Sequence, residues 1–371
     1  MRLLNMLKKD FEITPKEDYQ TILPIGIVAL AAIMLLGAIP IWWSSIKGFL
    51  AYGSDVGIAN YVIIRNMGLF VVGLFGLGLA GWRAKSMSRQ ALVAEQGHIT
   101  DRIIKATENL GSNKSLVRIG AIYTLWRTAI DSNRMADKTH ILDVLCAFIR
   151  TPTADEHTPP EGSLREDVRT ALVLITLHRD ELNLSSQYAP DLANADLSDA
   201  FIQDADLEGA DLSHAILTNA SFPNGNFRSA YFHSAIMHNT GFDGADLSNA
   251  TLCFADMEDA YAEESVCFNT RFLETNLAKS TFVGASMEKA SFEEAVFTSA
   301  NFQDADLRGA NFNSAYVLDV DMSGAKLKGA SFEDALLTNT IIFTDEVEAS
   351  SLSRKQLNSM LIRHNLNNEQ G

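Results

Sequence analysis

The sequence predicts a mainly β solenoid preceded by helical segments, on three observations. The first is a strict period of five: every fifth residue from Leu192 to Ile342 gives 31 positions, nearly all large and apolar, with no insertion or deletion. Two residues before most of them stands a small one, as at Ala195, Ala200, Ala205 and Ala210. A helix repeats every 3.6 residues and a strand every two, so a chain that repeats every five must turn a corner at each unit. The second observation is a superimposed period of 20. Phe232, Phe272, Phe292, Phe312 and Phe332 share one phase, and Phe222, Phe242, Phe282 and Phe302 share the phase ten residues away. These phases are opposite walls of a four-sided coil. The third is a pair of apolar stretches near the N-terminus, at about 22–46 and 61–82.

The run "ANADLSDAFIQDADLEGADLSHA" closely resembles the pentapeptide repeat family, whose unit reads roughly A-[DN]-[LF]-x-x. That resemblance implies a right-handed quadrilateral β-helix over residues 190–342, one unit per side and four units per coil. At a strand spacing of ~4.8 Å the run makes nearly eight coils and a rod of about 35 Å. Central residues fill its inside and leave no room for a ligand cavity.

The N-terminal part reads as a membrane anchor. After a segment at 1–21, the stretches 22–46 and 61–82 are apolar enough to be expected to cross a ~30 Å hydrocarbon layer, forming a transmembrane hairpin over 22–82. Trp42, Trp43, Tyr52, Tyr61 and Trp82 sit where interfacial aromatics belong, and Arg65 can snorkel. Lys8, Lys9 and Lys16 precede the first stretch, and Arg83, Lys85 and Arg89 follow the second. This asymmetry predicts a multi-pass protein of the bacterial inner membrane with both termini in the cytoplasm.

Residues 83–180 read as a juxtamembrane helix and a helical capping domain. Leu92, Gln96, Ile99, Ile103, Ala106 and Leu110 make a helical stripe that Gly111 ends. Further helices are expected at Ser115–Ile130, Thr139–Arg150 and Leu164–His178, with a Pro- and acid-rich loop before the last. This region is similar to the helical segment that precedes the repeats in many bacterial membrane-linked members of the family. Such a domain would shield the first coil's open edge. Residues 343–371 read as a cap helix, Ser353–Ile362, and a tail.

Charge concentrates on the rod. Residues 1–189 carry net +2, 190–342 carry −17 and 343–371 carry −1. Such a surface repels nucleic acid, so no direct nucleic-acid binding is expected, and it favours basic partners or solubility. Cys146, Cys253 and Cys267 are too few and scattered for a disulfide framework, and free thiols are expected. His214 and His233 can stack on neighbouring coils, but no third ligand has the right phase for a metal. No phosphate loop, nucleophile elbow or triad is present. No enzyme, cofactor or metal site is therefore expected.

Two departures from the repeat are candidate sites. The outward residues of one wall read Asp196, Ile216, Ile236, Asp256, Asn276, Val296, Tyr316, Leu336. Ile216, Ile236, Val296, Tyr316 and Leu336 form an apolar stripe, as an interaction or self-association surface would, although strand propensity alone also favours such residues. In the coil 261–280 the small positions become Ser265, Thr270, Thr275 and Ser280, and two central ones are Ala262 and Cys267. Phe254, Tyr261, Phe268 and Leu273 lie outward, so this coil is either thin or locally distorted, with a candidate patch there, or an imperfect repeat tolerated in a long ladder. The functional reading is a non-enzymatic, membrane-tethered scaffold presenting an acidic rod to a protein partner or to copies of itself. The alternative rests on the family: some members resemble B-DNA in shape and charge and block type II topoisomerases, so a DNA-mimicking inhibitor of such an enzyme, or of another nucleic-acid-binding protein, is the competing class.

Overall fold

The computed structural model describes residues 43, 44, 47, 55–151, 163–184, 188–343 and 361–363. The chain divides into two compact units, Met1–His98 and Ile99–Gly371. Within the first unit the described residues from Asp55 onward form the N-terminal part of one long helix, α1 (Asp55–Leu110). Leu69, Phe70, Leu74 and Leu77 on it are exposed.

Among the described residues no helix is long and apolar enough to cross a membrane, which overturns the predicted multi-pass inner-membrane location. The reason lies in what interrupts the second stretch. Asn66 and Arg83 bound a run of 16 residues free of charged and amide side chains, Met67–Trp82, which in a helix is about 24 Å long and falls short of a ~30 Å hydrocarbon core. Five of its positions are glycines that add almost no apolar surface: Gly68, Gly73, Gly76, Gly78 and Gly81. The other predicted span, 22–46, lies outside the described residues apart from Trp43 and Ser44, as does the segment 1–21.

In the second unit, the end of α1 joins α2 (Ser115–Asp131), α3 (Met135–Arg150), α4 (Glu166–Leu177) and a 3-10 turn at Arg179–Leu182. The apolar stripe of α1 is used only at its C-terminal end, where Ala106 and Leu110 are buried, while Leu92 is exposed. The core of this helical subdomain is built from Ile122, Leu125, Ala129, Ile141, Leu142, Leu145, Leu172 and Ile175. Their spacing of three and four along each helix aims one face inward. Arg118 and Asp167 are buried at its centre, 1% and 0% exposed. Arg118 Nε donates to Asp167, Arg118 Nη1 donates to the Ser112 carbonyl at 2.8 Å, and Arg165 Nη2 reaches Asp167 at 3.1 Å. This knot ties the α1–α2 turn to the start of α4.

From Asp191 the chain coils with a 20-residue register. Each outward strand residue bridges in parallel to the one 20 positions on, in ladders such as Asp191–Asp211–Tyr231 and Phe201–Ser221–Gly241–Tyr261. The corner recurs along the rod, and its closing amide bond is missing after Phe297, Val317 and Leu337. The residue two after the centre is left-handed, and the next amide closes the turn, as in Asn194 (φ 62) with Ala195 N donating to Leu192 O at 3.1 Å. Asn, Asp, Ser and Gly recur at that position because they tolerate positive φ. The ladder widens into three-residue strands at β1 (Val296–Thr298), β2 (Tyr316–Leu318) and β3 (Leu336–Thr338), paired in that order. A further parallel pair joins β4 (Ile341–Phe343) to β5 (Leu361–Arg363). The predicted C-terminal cap helix is thus corrected at its end: Leu361 and Ile362 are strand residues in register with Ile341 and Ile342, and 353–360 lie outside the described residues.

All eleven central phenylalanines are fully buried. Nine of them lie on the two opposite walls, where they stack as Phe272–Phe292–Phe312–Phe332, with ring centroids 4.9, 4.8 and 4.8 Å apart, and as Phe282–Phe302 at 5.2 Å, while Phe227 and Phe297 lie on the other two walls. These separations match the coil spacing.

The helical subdomain meets the first coil through polar contacts. Asp206 N donates to the Thr176 carbonyl at the end of α4 at 3.2 Å, Arg179 pairs with Asp206, and Arg150 Nη1 lies 2.5 Å from Asp191. An otherwise open strand edge receives partners there.

Candidate interaction surface

The five stripe residues stand on a single ladder, Asp196–Ile216–Ile236–Asp256–Asn276–Val296–Tyr316–Leu336. All five point outward, with exposures of 37% for Ile216, 41% for Ile236, 38% for Val296, 56% for Tyr316 and 60% for Leu336. The stripe is not continuous. Between its halves His238 Nε2 and Asp256 Oδ2 are 2.7 Å apart, and Asn276 Nδ2 donates to Asp256 Oδ1 at 2.8 Å. Partial burial pushes the Asp256 carboxyl up, but the His238 ring and the Asn276 amide more than offset it, so it lies below the ordinary carboxylate range. Lys279 Nζ adds a contact to Glu258 at 2.6 Å.

The half beyond this polar knot is the larger. Val296, Tyr316 and Leu336 open β1, β2 and β3, and Leu318, itself exposed, widens the patch beside Tyr316. The periodic pattern missed Leu318 because it follows a centre instead of preceding one. Only the longer strands bring that position onto the wall.

The second candidate is dispersed by the fold. Tyr261 lies on the ladder opposite the wall of Leu252 and Phe272, and its ring covers Gly241, where an added Cβ would meet ring carbons 2.3 and 2.6 Å away. Phe254 and Leu273 are neighbours at one corner, where Phe254 N donates to Leu273 O at 2.9 Å. Phe268 stands at the corner before that wall, with Lys289 Nζ 5.4 Å from its ring centroid. Phe254 holds a left-handed φ of 62° and packs edge-on against His233 at 5.1 Å, and His233 in turn meets His214 at 5.7 Å. Ring packing accounts for this column.

The coil 261–280 keeps its register, as an imperfect repeat tolerated in a long ladder does, since its ladder runs on through Tyr261–Thr281 and Val266–Ser286. The extra polar atoms find carbonyls. Thr270 Oγ1 donates to Leu247 O and Thr275 Oγ1 to Leu252 O, both at 2.8 Å, while Ser265 and Ser280 donate to the carbonyls of Ala262 and Leu277. Cys267 fills the centre, and burial pushes its thiol up to about 12. Cys146, against the Tyr188 hydroxyl at 3.9 Å, is raised by burial to about 11. Neither is a thiolate at neutral pH, so neither is a nucleophile.

Residues 191–228, 215–249 and 275–313 match the family model of pentapeptide repeats, in eight copies. The rod thus carries pentapeptide repeats over 191–249 and 275–313. One interval of the rod that the family model leaves unmatched, 250–274, includes the start of the coil with Ser and Thr at the small positions, where the parallel ladder keeps its register. No curated protein matches the chain. Among solved structures it is similar to HetL, a pentapeptide repeat protein involved in heterocyst differentiation regulation from the cyanobacterium Nostoc sp. strain PCC 7120, with 23% identity over 41% of this chain and 78% of that one, TM-score 0.34. It is also similar to QnrB1, a plasmid-mediated fluoroquinolone resistance protein, with 16% identity over 45% and 90% of the two chains, TM-score 0.36. A third is Rfr23 from the cyanobacterium Cyanothece 51142, with 20% identity over 36% and 90%, TM-score 0.27.

Proposed function

We propose that this protein is a non-enzymatic interaction module whose pentapeptide repeat rod binds a protein partner through the apolar wall at Val296, Tyr316 and Leu336. The observation that carries this reading is three large apolar side chains, each more than a third exposed, adjoining one another on successive strands. Exposed apolar patches of this kind favour burial against another surface, and an aromatic residue near the centre suits an anchor. The core contributes no comparable pull, because the central residues are already sealed inside.

DNA mimicry is the weaker reading. The wall carrying Asp246, Glu288 and Asp306 supplies its own cations: Arg228 pairs with Asp246, Arg308 with Glu288 and Asp306, and Lys326 with Asp306. A mimic of the phosphate backbone needs unpaired anions, which Asp246, Glu288 and Asp306 are not. On the opposite wall the acids surround exposed apolar side chains, Val296, Tyr316 and Leu336, that a phosphate backbone lacks.

The experiment is a photocrosslinking amino acid placed at Leu336 and, as control, at Asn301 on another wall. Expected is a discrete crosslinked species from Leu336 in cells and none from Asn301. Equal crosslinking from both, or none from Leu336, would remove the wall from consideration.

A further inference from the structure

The two halves of the apolar ladder have different surroundings, and the difference specifies the partner. Around Ile216 and Ile236 the corners carry His214, His233 and His238 and no acid. Around Val296, Tyr316 and Leu336 the corners carry Glu293, Glu294, Asp319, Glu333 and Asp334, all exposed, and no Lys or Arg in 293–299, 313–319 or 333–339. None of these five carboxylates has an ion pair among the described residues, in contrast to Asp246, Glu288 and Asp306 on the opposite wall. The apolar patch therefore sits inside a rim of uncompensated negative charge.

The backbone limits how a partner can sit. Within β1–β2–β3 the central strand's amides and carbonyls are already engaged by the coils on either side. A partner strand cannot add to such a face and must dock by side chains. Successive apolar residues recur once per coil, so Val296 to Leu336 covers two coil spacings, about 10 Å. One heptad of an α-helix rises about 10.5 Å, so a helix laid along the rod axis can set apolar residues at i, i+3 or i+4, and i+7 against Val296, Tyr316 with Leu318, and Leu336.

From these observations, and resting on the interaction-module reading above, we infer that the occupant of the Val296–Tyr316–Leu336 wall is a cationic amphipathic helix, its apolar stripe on the wall and its Lys or Arg residues over Glu293, Glu294, Asp319, Glu333 and Asp334. A second copy of this rod is disfavoured because its own net charge of −17 over 190–342 would meet the same acidic rim.

The test uses the full chain and three labelled 14-residue probes read by fluorescence anisotropy: a Leu/Lys peptide with one apolar helical face, a scramble of it without that face, and a Leu/Glu peptide of the first pattern. Expected is binding of the facial Leu/Lys peptide at least tenfold tighter than the scramble, and none of the Leu/Glu peptide. Tyr316→Ser with Leu336→Ser should erase that tenfold advantage, and Glu293→Gln, Glu294→Gln, Glu333→Gln and Asp334→Asn together should weaken binding at least tenfold and flatten its salt dependence. Ile216→Ser with Ile236→Ser should change neither. Equal binding of facial and scrambled peptides would reduce the effect to bulk attraction by an acidic rod and overturn the inference. Tighter binding of the Leu/Glu peptide, or no peptide binding while Tyr316→Ser with Leu336→Ser halves the mass by light scattering, would overturn the helix and leave the wall as a contact with another occupant. Stripe variants that alter neither peptide binding, nor mass, nor the Leu336 crosslink would remove both readings.

Discussion

The helical subdomain and the rod bury polar groups in opposite ways. In the subdomain the buried charges belong to one knot, Arg118 and Asp167 with half-buried Arg165, which joins segments 49 residues apart, while the hydroxyls of buried Thr128 and Thr176 bond only to their own helices. In the rod they are spread over successive turns. Thr240, Thr270 and Thr275 each donate to the carbonyl 23 residues earlier, a contact that repeats with the coil. Among the described residues only Thr281 Oγ1 is buried without a partner. A repeat tolerates many small polar substitutions because the corner offers each a backbone carbonyl, 23 residues back for Thr240, Thr270 and Thr275 and three back for Ser265 and Ser280, whereas the subdomain concentrates its buried charge in a single contact.

The largest expected effect breaks the knot. Asp167→Ala strands two guanidiniums, one of them buried, and should cost about 4 to 5 kcal/mol, since removing one partner of a buried pair leaves an uncompensated charge. Arg118→Met with Asp167→Leu should recover most of this. Burial pushes the Asp167 carboxyl up, yet the bonds from Arg165 and Arg118 outweigh it and hold it below its ordinary value of 3.8. A depressed folded pKa adds stability that is present above the unfolded value and lost as pH falls through the folded one. The parent's melting temperature should therefore drop below about pH 4, and the double variant's should drop less. Identical acid profiles for parent and double variant would show that the knot does not carry the acid sensitivity.

Phe292→Ala comes next. Its ring lies between Phe272 and Phe312 at 4.9 and 4.8 Å, and the cavity should cost about 3 to 4 kcal/mol in chemical denaturation. Because each coil touches only its neighbours, the loss should be local, with hydrogen exchange accelerated most in the flanking coils.

A pair of glycines sharpens the contrast between inside and outside within the rod. At Gly225 a Cβ would lie 2.6 Å from the ring of buried Phe227 and 3.2 Å from the Phe222 carbonyl, so Gly225→Ala should cost about 1 to 3 kcal/mol by overpacking. At Gly241 the obstacle is the Tyr261 ring alone, which can swing into solvent. Gly241→Ala should cost less than half as much, and a fluorescence change at Tyr261 should report the movement.

How far these differences could be read in advance follows the same division. The rod was legible because its information is periodic: the 20-residue phase of the phenylalanines identified the facing walls, and the position before each centre identified the ladder of Ile216 through Leu336. The helices from Ser115 onward were legible from apolar spacing, and their ends lie within a few residues of those expected. The knot was not, because nothing in the spacing of Arg118 and Asp167 says that helices α2 and α4 will bring them together. Membrane crossing was misread at 61–82 because an apolar run was counted by its extent, when its five glycines and the bounding Asn66 and Arg83 decide its reach. The acidic rim could be seen only once Glu293, Asp319 and Glu333 were placed on the corners of one wall.

The smallest effect tests what periodicity leaves out on the surface. By phase alone Asn313 is an outward residue whose loss should be almost neutral. In the rod its Oδ1 accepts from the Glu333 amide at 2.9 Å and from the Ser331 hydroxyl at 2.5 Å, linking two coils. Asp243 does the same for the Glu263 amide at 3.0 Å. Asn313→Ala should therefore cost about 1 kcal/mol, the net worth of such bonds where water can partly replace them. Glu293→Ala, at an exposed corner with no ion pair, should stay within about 0.5 kcal/mol. Measured together by denaturant midpoint at constant m-value, the two separate an outward residue that staples coils from one that merely faces water. Equal midpoints would mean that the side-chain links between coils add nothing to the backbone ladder, and that the rod's stability resides wholly in its sealed centre.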